Sequence, residues 1–204
     1  MMVWQKRIES ILEKQNQLTS DWHSNSSYIG NVDILTEAIL IQHKSNFDLW
    51  HLEDDARDAK ADDSIIAKIK RGIDKVNQQR NDQIEKIDEK LIQILLESKV
   101  TPEANAKLNS ETPGSICDRL SINSLKIFHM KEQVLRSDAP EGHVEKCKMR
   151  VELLQEQRAD LTGTLVELLA DLQSGFKKLK VYRQVKMYND PNLNPVLYGN
   201  KNKK

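Results

Sequence analysis

Long apolar runs are missing from this sequence. Strongly apolar stretches are no longer than Ile39-Leu40-Ile41, far short of the roughly 20 residues that cross a bilayer, so no membrane span is expected. An excess of positive charge is missing too. Lys plus Arg and Asp plus Glu each number 31, for a formal net charge of zero. A nucleic-acid binder ordinarily carries a basic surplus, so nucleic acid is not an expected partner. The segment Met1 to Ser10 holds Lys6, Arg7 and Glu9 and no apolar h-region. It does not read as a signal peptide. Cysteine is scarce: Cys117 and Cys147 stand alone and match no metal or redox spacing. They read as small hydrophobes in a reducing compartment. Glycine (seven), proline (five) and aromatics (5%) are sparse as well, which disfavours turn-rich β architectures.

What is present is helix-forming. Charged residues make up 30% of the chain, and the apolar positions recur at three and four rather than at two. The fold expected is all-α: an antiparallel bundle of about five helices, several of them long, with an extended C-terminal tail. It reads as a single helical domain over 1–204, with an N-terminal helix (1–22), a first long hairpin (31–99), a second long hairpin (112–187) and a tail (188–204). Asn31 is positioned to cap the second helix, which runs to about Lys60. Asp62 or Asp63 caps the third, where Ile65, Ile69, Ile73, Val76, Ile84, Ile87, Leu91 and Ile94 form a stripe. At roughly 55 Å such a helix must pack along its length to be stable. Thr112-Pro113 is a helix start, with a hydroxyl cap and proline in the first turn. Asp138 with Glu141 has capping-box spacing and opens a fifth helix to about Lys186, with Gly163 and Gly175 as kinks. The helix dipole accounts for the basic cluster Lys177, Lys178, Lys180, Arg183 and Lys186 at its end, with a basic docking patch as the alternative reading. Pro191 and Pro195 keep the tail out of the helix, and Tyr188, Leu193, Leu197 and Tyr198 suit packing back onto the bundle.

Polar residues interrupt the apolar faces at three places. On the second helix Ile39, His43, Asn46, Trp50, Glu53 and Arg57 follow one another at spacings of three and four and share a face. They run beside an apolar stripe of Ile34, Ala38, Ile41, Leu49, Leu52 and Ala56. On the third helix Arg80 stands in the stripe between Val76 and Ile84, flanked by Asn77 and Asn81. A buried arginine requires a partner, and Glu53, Asp54 and Asp88 are candidates. On the fourth, Asp118, Ser121 and Leu125 share one face, while Arg119, Ile122, Lys126 and His129 share another. A polar layer can simply fix helix register. Three interruptions together also suit one shared pocket, which bundles commonly build between facing helices.

The same stretches resemble a bacterial family catalogued as domain of unknown function four-two-five-four. The resemblance is carried by Gln42-His43-x-x-Asn46-x-x-x-Trp50-His51-x-Glu53-Asp54-x-Ala56-Arg57 and by Lys70-Arg71-x-Ile73-Asp74-x-x-Asn77-x-x-Arg80-Asn81-Asp82-x-Ile84-Glu85. It continues in Pro113-Gly114-Ser115, in Asp118-Arg119-Leu120-Ser121-Ile122-x-x-Leu125-Lys126-Ile127, and in Met187-Tyr188-Asn189-Asp190-Pro191 with Asn194-Pro195. It implies a cytoplasmic protein in the genomic company of envelope glycosyltransferases, hence glycan metabolism. It implies no particular reaction and names no cofactor.

Three readings compete at this point. One is a binding or accessory module for a phosphorylated or nucleotide-sugar ligand. Its site would comprise His43, Asn46, Trp50, Glu53, Asp54, Arg57, Asn77, Arg80, Asn81, Asp118, Arg119 and Lys126, with the cations meeting the anion and Trp50 stacking. The second is a scaffold that pairs with a glycosyltransferase or with a second copy of the chain. The third is a metal-dependent hydrolase or transferase using His43, Glu53, Asp54, Glu85 and Asp88, although their spacing matches no metal motif.

Overall fold

The computed structural model describes residues 2–24, 29–185 and 192–193. Among these, five helices carry the fold: α1 (Met2–His23), α2 (Ile34–Asp55), α3 (Asp63–Glu97), α4 (Pro113–Val134) and α5 (His143–Gln173). Two-residue strands β1 (Lys107–Leu108) and β2 (Lys177–Lys178) pair in parallel. The protein is all-α, as the periodicity requires. No helix among the described residues is long and apolar enough to cross a membrane. Of the expected tail, Tyr188, Leu197 and Tyr198 lie outside the described residues, as does the Met187–Pro191 segment.

Local chemistry explains most boundaries. The Asp62 carboxylate accepts from the Ser64 and Ile65 N–H groups and opens α3. The Thr112 hydroxyl accepts from Ser115 N–H, with Pro113 in the first turn of α4. Four boundaries differ from expectation, the first being the end of α2, which stops at Asp55 rather than near Lys60. Asp33 rather than Asn31 caps α2, accepting from the Leu35 and Thr36 N–H groups and from the Thr36 hydroxyl. No capping box opens α5: Asp138 is taken by Arg136, and the helix starts after Gly142 at φ +74° without a side-chain cap. At its other end α5 stops at Gln173 rather than near Lys186. Gly175 adopts φ +79°, and a Cβ there would stand 2.8 Å from the Thr101 carbonyl oxygen. That close approach turns the chain into β2. Lys177 and Lys178 are therefore strand residues, and a helix dipole does not account for them.

Helix α4 is central and packs against all four others, with α2–α3 and α4–α5 forming the two tightest pairs. A Cβ at Gly72 near the start of α3 would stand 3.6 Å from the Leu52 side chain near the end of α2, as an antiparallel hairpin requires. At one end of the bundle Trp4, Ile8, Ile39, Ile87, Ile116 and Leu165 belong to a large apolar cluster. At the other, Leu18, Trp22, Leu40, Phe47 and Leu125 form a smaller one. Between them, on α1, α2 and α4 alike, lies a polar layer.

Helices α3 and α4 approach closely at Gly114. Its N–H donates to Asp88 Oδ1 at 2.7 Å, and a Cβ would stand 2.4 Å from the Ile84 carbonyl oxygen. Gly114→Ala must push α3 and α4 apart. The expected loss of stability is about 1–3 kcal/mol or more, read as a lower midpoint in urea denaturation.

Candidate functional site

The polar layer is one continuous hydrogen-bonded network. Asp118 on α4 is its hub. Its Oδ1 accepts from Gln42 Nε2 (2.5 Å), Asn46 Nδ2 (3.0 Å) and Arg80 Nε (2.8 Å), and its Oδ2 accepts from an Arg80 Nη (2.5 Å). Asn46 Nδ2 also donates to Ser121 Oγ at 2.9 Å. The Arg80 guanidinium is further steadied by Asn77 Oδ1 at 3.3 Å. The Asp118 hydrogen bond holds the arginine's pKa above its ordinary value against the opposing pull of burial. Sequence spacing suggested Glu53, Asp54 or Asp88 as the arginine's partner. The partner is Asp118, from a different helix.

The network continues through His43, which is completely buried. Its Nε2 lies 3.1 Å from the Gln15 carbonyl oxygen and 3.0 Å from Thr19 Oγ1, and its Nδ1 lies 2.7 Å from Ser121 Oγ. A carbonyl can only accept, so Nε2 carries the proton and Nδ1 accepts from the Ser121 hydroxyl. Burial pushes the imidazole down to about 4, so it stays neutral at physiological pH. A serine hydroxyl on an imidazole nitrogen resembles a nucleophile with its base. Ser121 is itself fully buried, and here the pair joins helices. Ser124 then links Gln15 to Arg158 on α5, whose guanidinium bonds the neutral acceptors Asn16 Oδ1 and the Leu12 carbonyl.

A cavity of about 290 Å³ opens where this network reaches the surface, lined by Asn46, Leu49, Trp50, Glu53, Asp54, Arg57, Arg80, Ile122 and Leu125. The α2 face and the turn that follows it place them: the helix is buried at Ile39, His43 and Asn46 and half-buried at Trp50 and Glu53, and Arg57 is exposed just past its end. The apolar stripe beside it is the more open one, with Ile34 and Ile41 exposed. Arg57 pairs with both Glu53 and Asp54. Trp50 stacks on His129 at 4.8 Å and 14°. Trp50 and Asp54 also line a neighbouring recess of about 550 Å³ with Lys126, His129 and Arg150.

Of the twelve residues singled out from sequence, six line the smaller cavity: Asn46, Trp50, Glu53, Asp54, Arg57 and Arg80. His43, Asn77 and Asp118 stand behind it in the network. Asn81 is half-buried and does not line it. Arg119 is exposed on the other face of α4, bonded to Glu111 at 2.7 Å. With Lys126 it lines a separate groove of about 590 Å³ between α4 and α5. The five residues considered for a metal do not gather. His43 is committed to the network, Asp88 to Gly114, and Glu85 to Arg183 and the Gln184 N–H. Spacing put His129 on the Arg119 face of its helix but gave no sign of His23, nor that the fold brings both beside His51.

Cys117 and Cys147 are both buried. Burial raises the Cys117 thiol well above its ordinary pKa, which leaves it unreactive.

Fold and site together define an all-α protein, with five helices among the described residues, whose buried polar layer backs a surface cavity. The chain belongs to the family described as protein of unknown function (DUF4254), which matches residues 36–181. That segment contains every residue lining the cavity. No curated protein and no solved structure matches the chain.

Proposed function

We propose that this protein is a small-molecule binding module whose ligand is a sugar-like polyol seated against Trp50. The observation that carries the reading is the pairing of a half-buried tryptophan with hydrogen-bonding groups that the network already holds in place. An indole ring offers an apolar platform to a sugar's C–H face. Around it Asn46, Glu53, Asp54 and Arg80 offer donors and acceptors to hydroxyls. Because Arg80 and Asn46 are fixed through Asp118, little ordering entropy is left for binding to overcome.

Charge and size refine the ligand. A phosphate would need a free cation, yet Arg80 is committed to Asp118 and Arg57 to Glu53 and Asp54. Arg119 belongs to another groove. The cavity, about 290 Å³, stands at the lower end of the ligand-pocket range, roughly 300–1,000 Å³. These facts favour a single uncharged or amine-bearing ring over a phosphorylated one. Any larger substituent would extend into the recess shared at Trp50, where Lys126 and Arg150 lie. A role in envelope glycan metabolism agrees with this ligand class.

Isothermal titration with glucose, glucosamine, glucose 1-phosphate and UDP-glucose tests the proposal. Saturable heat is expected with at least one of the first two, and phosphate alone should not tighten it. Trp50→Ala is expected to weaken that binding by about tenfold or more, as loss of a buried aromatic anchor does. Absence of heat with all four sugars, or equal affinity in Trp50→Ala, would overturn it.

A further inference from the structure

Three histidines that play no part in the network converge from three helices: His23 at the end of α1, His51 on α2 and His129 on α4. One ring nitrogen from each lies within 4.8 Å of the other two. We propose that they form a binding site for a borderline divalent transition-metal ion, Zn²⁺ being the fitting probe, at the wall of the recess beside Trp50.

Their hydrogen bonds point the same way. His129 Nδ1 lies 2.8 Å from Glu132 Oε2, and His23 Nδ1 lies 2.6 Å from the Thr19 carbonyl oxygen. Both partners are acceptors, so each Nδ1 carries the proton and each Nε2 presents a lone pair. A carboxylate or backbone carbonyl on the far nitrogen is the usual support of a metal-binding histidine, because it fixes the tautomer and the ring plane. In addition, Nε2 of His51 and Nε2 of His129 are buried and have no hydrogen-bond partner. Buried polar atoms are rarely left so, and a cation between them would satisfy both at once.

The ligand type selects the ion. Three imidazoles suit Zn²⁺, Co²⁺, Ni²⁺ or Cu²⁺ and not Mg²⁺ or Ca²⁺, which take oxygen. With Zn–N bonds of about 2.0–2.1 Å, tetrahedral ligand nitrogens stand about 3.4 Å apart. The rings would close by on the order of 1 Å, within reach of side-chain rotation. Three protein ligands leave a fourth position open, as in catalytic rather than structural zinc sites. His23 is exposed, so that position faces solvent. His129 both stacks on Trp50 and lines the recess, which puts the ion at the recess wall. The proposal does not depend on what the Trp50 cavity binds.

The test is calorimetric titration of the chelator-stripped full chain with Zn²⁺, alongside Co²⁺ absorption. One ion per chain is expected, with visible Co²⁺ bands of tetrahedral intensity and a shift of the histidine Nε2 resonances in nitrogen NMR. His51→Gln and His129→Gln should abolish stoichiometric binding, and Glu132→Gln should weaken it by about 10–100-fold. His143→Gln, on α5, should leave it unchanged. No saturable binding by the wild type, binding that survives in the His51→Gln/His129→Gln double variant, or loss in His143→Gln would each overturn the site. If the histidine variants lose helicity by circular dichroism, the wild-type Co²⁺ spectrum and Nε2 shifts decide. Their absence overturns the site in the same way.

Discussion

Asp118→Ala is expected to lower the unfolding free energy by about 3–5 kcal/mol, the cost of leaving a buried ionic partner unpaired. Asp118 is 8% exposed at its side chain and Arg80 23%, so little water is at hand to replace the lost carboxylate. Two Arg80 donors, Gln42 and Asn46 all lose their acceptor in the same step. Urea denaturation at neutral pH reads the effect as a lower midpoint. The double variant Asp118→Leu/Arg80→Met should recover most of the loss, because replacing both partners by apolar groups leaves no orphaned charge. A loss below about 1 kcal/mol, the range of surface ion pairs, would mean that the hub contributes no more than such a pair.

The second large effect is an acid-side loss carried by His43. Its pKa is 6.5 in the unfolded reference and about 4 in the folded protein, lowered chiefly by burial. Above pH 6.5 both states hold it neutral, and its contribution to stability is complete. As pH falls from 6.5 towards 4 the unfolded chain takes up a proton that the native state refuses, and stability is lost. The difference corresponds to about 3 kcal/mol. Asp88 acts in the opposite direction. Burial pushes its carboxyl from 3.8 up to about 6, so the native state retains a proton there that the unfolded chain has released. Asp88 thus costs stability as pH rises through that window. The wild-type curve is therefore flattened, and comparison with a variant isolates the histidine. The stability advantage of wild type over His43→Gln should shrink by about 3 kcal/mol between pH 6.5 and pH 4. A pH-independent difference would show that His43 is not held neutral.

How much of this was legible in the sequence follows from what is local. Asp62 and Thr112-Pro113 act on backbone groups two or three residues away, so they mark helix starts directly. Gly175 looks the same in sequence whether it kinks a helix or ends one. The choice is made by Thr101, some seventy positions earlier, whose carbonyl leaves no room for a side chain. The polar interruptions at His43, Asn46, Arg80 and Asp118 were visible because each breaks an apolar face. Which of them meet was not, because periodicity gives faces on one helix and no registry between helices. Hence Arg80 could not be matched to Asp118, nor Arg119 and Lys126 assigned to a different groove. His23, His51 and His129 carry no common spacing at all, and the packing of α1, α2 and α4 alone brings them together.

The central claim is that a ligand sits against Trp50, and the indole resonances of the protein test it most directly. The chain has three tryptophans. Trp4 Nε1 is bonded to Gln173 Oε1 at 2.6 Å in the large apolar cluster and is the remote reporter, whereas Trp22 is buried in the smaller cluster against which the half-buried Trp50 packs. In proton–nitrogen NMR, with Trp50→Phe assigning the peaks, titration with glucosamine and then glucose should move the Trp50 indole signal saturably and leave that of Trp4 in place. A Trp50 signal unmoved at high sugar concentration, or equal drift of all three, would contradict the account.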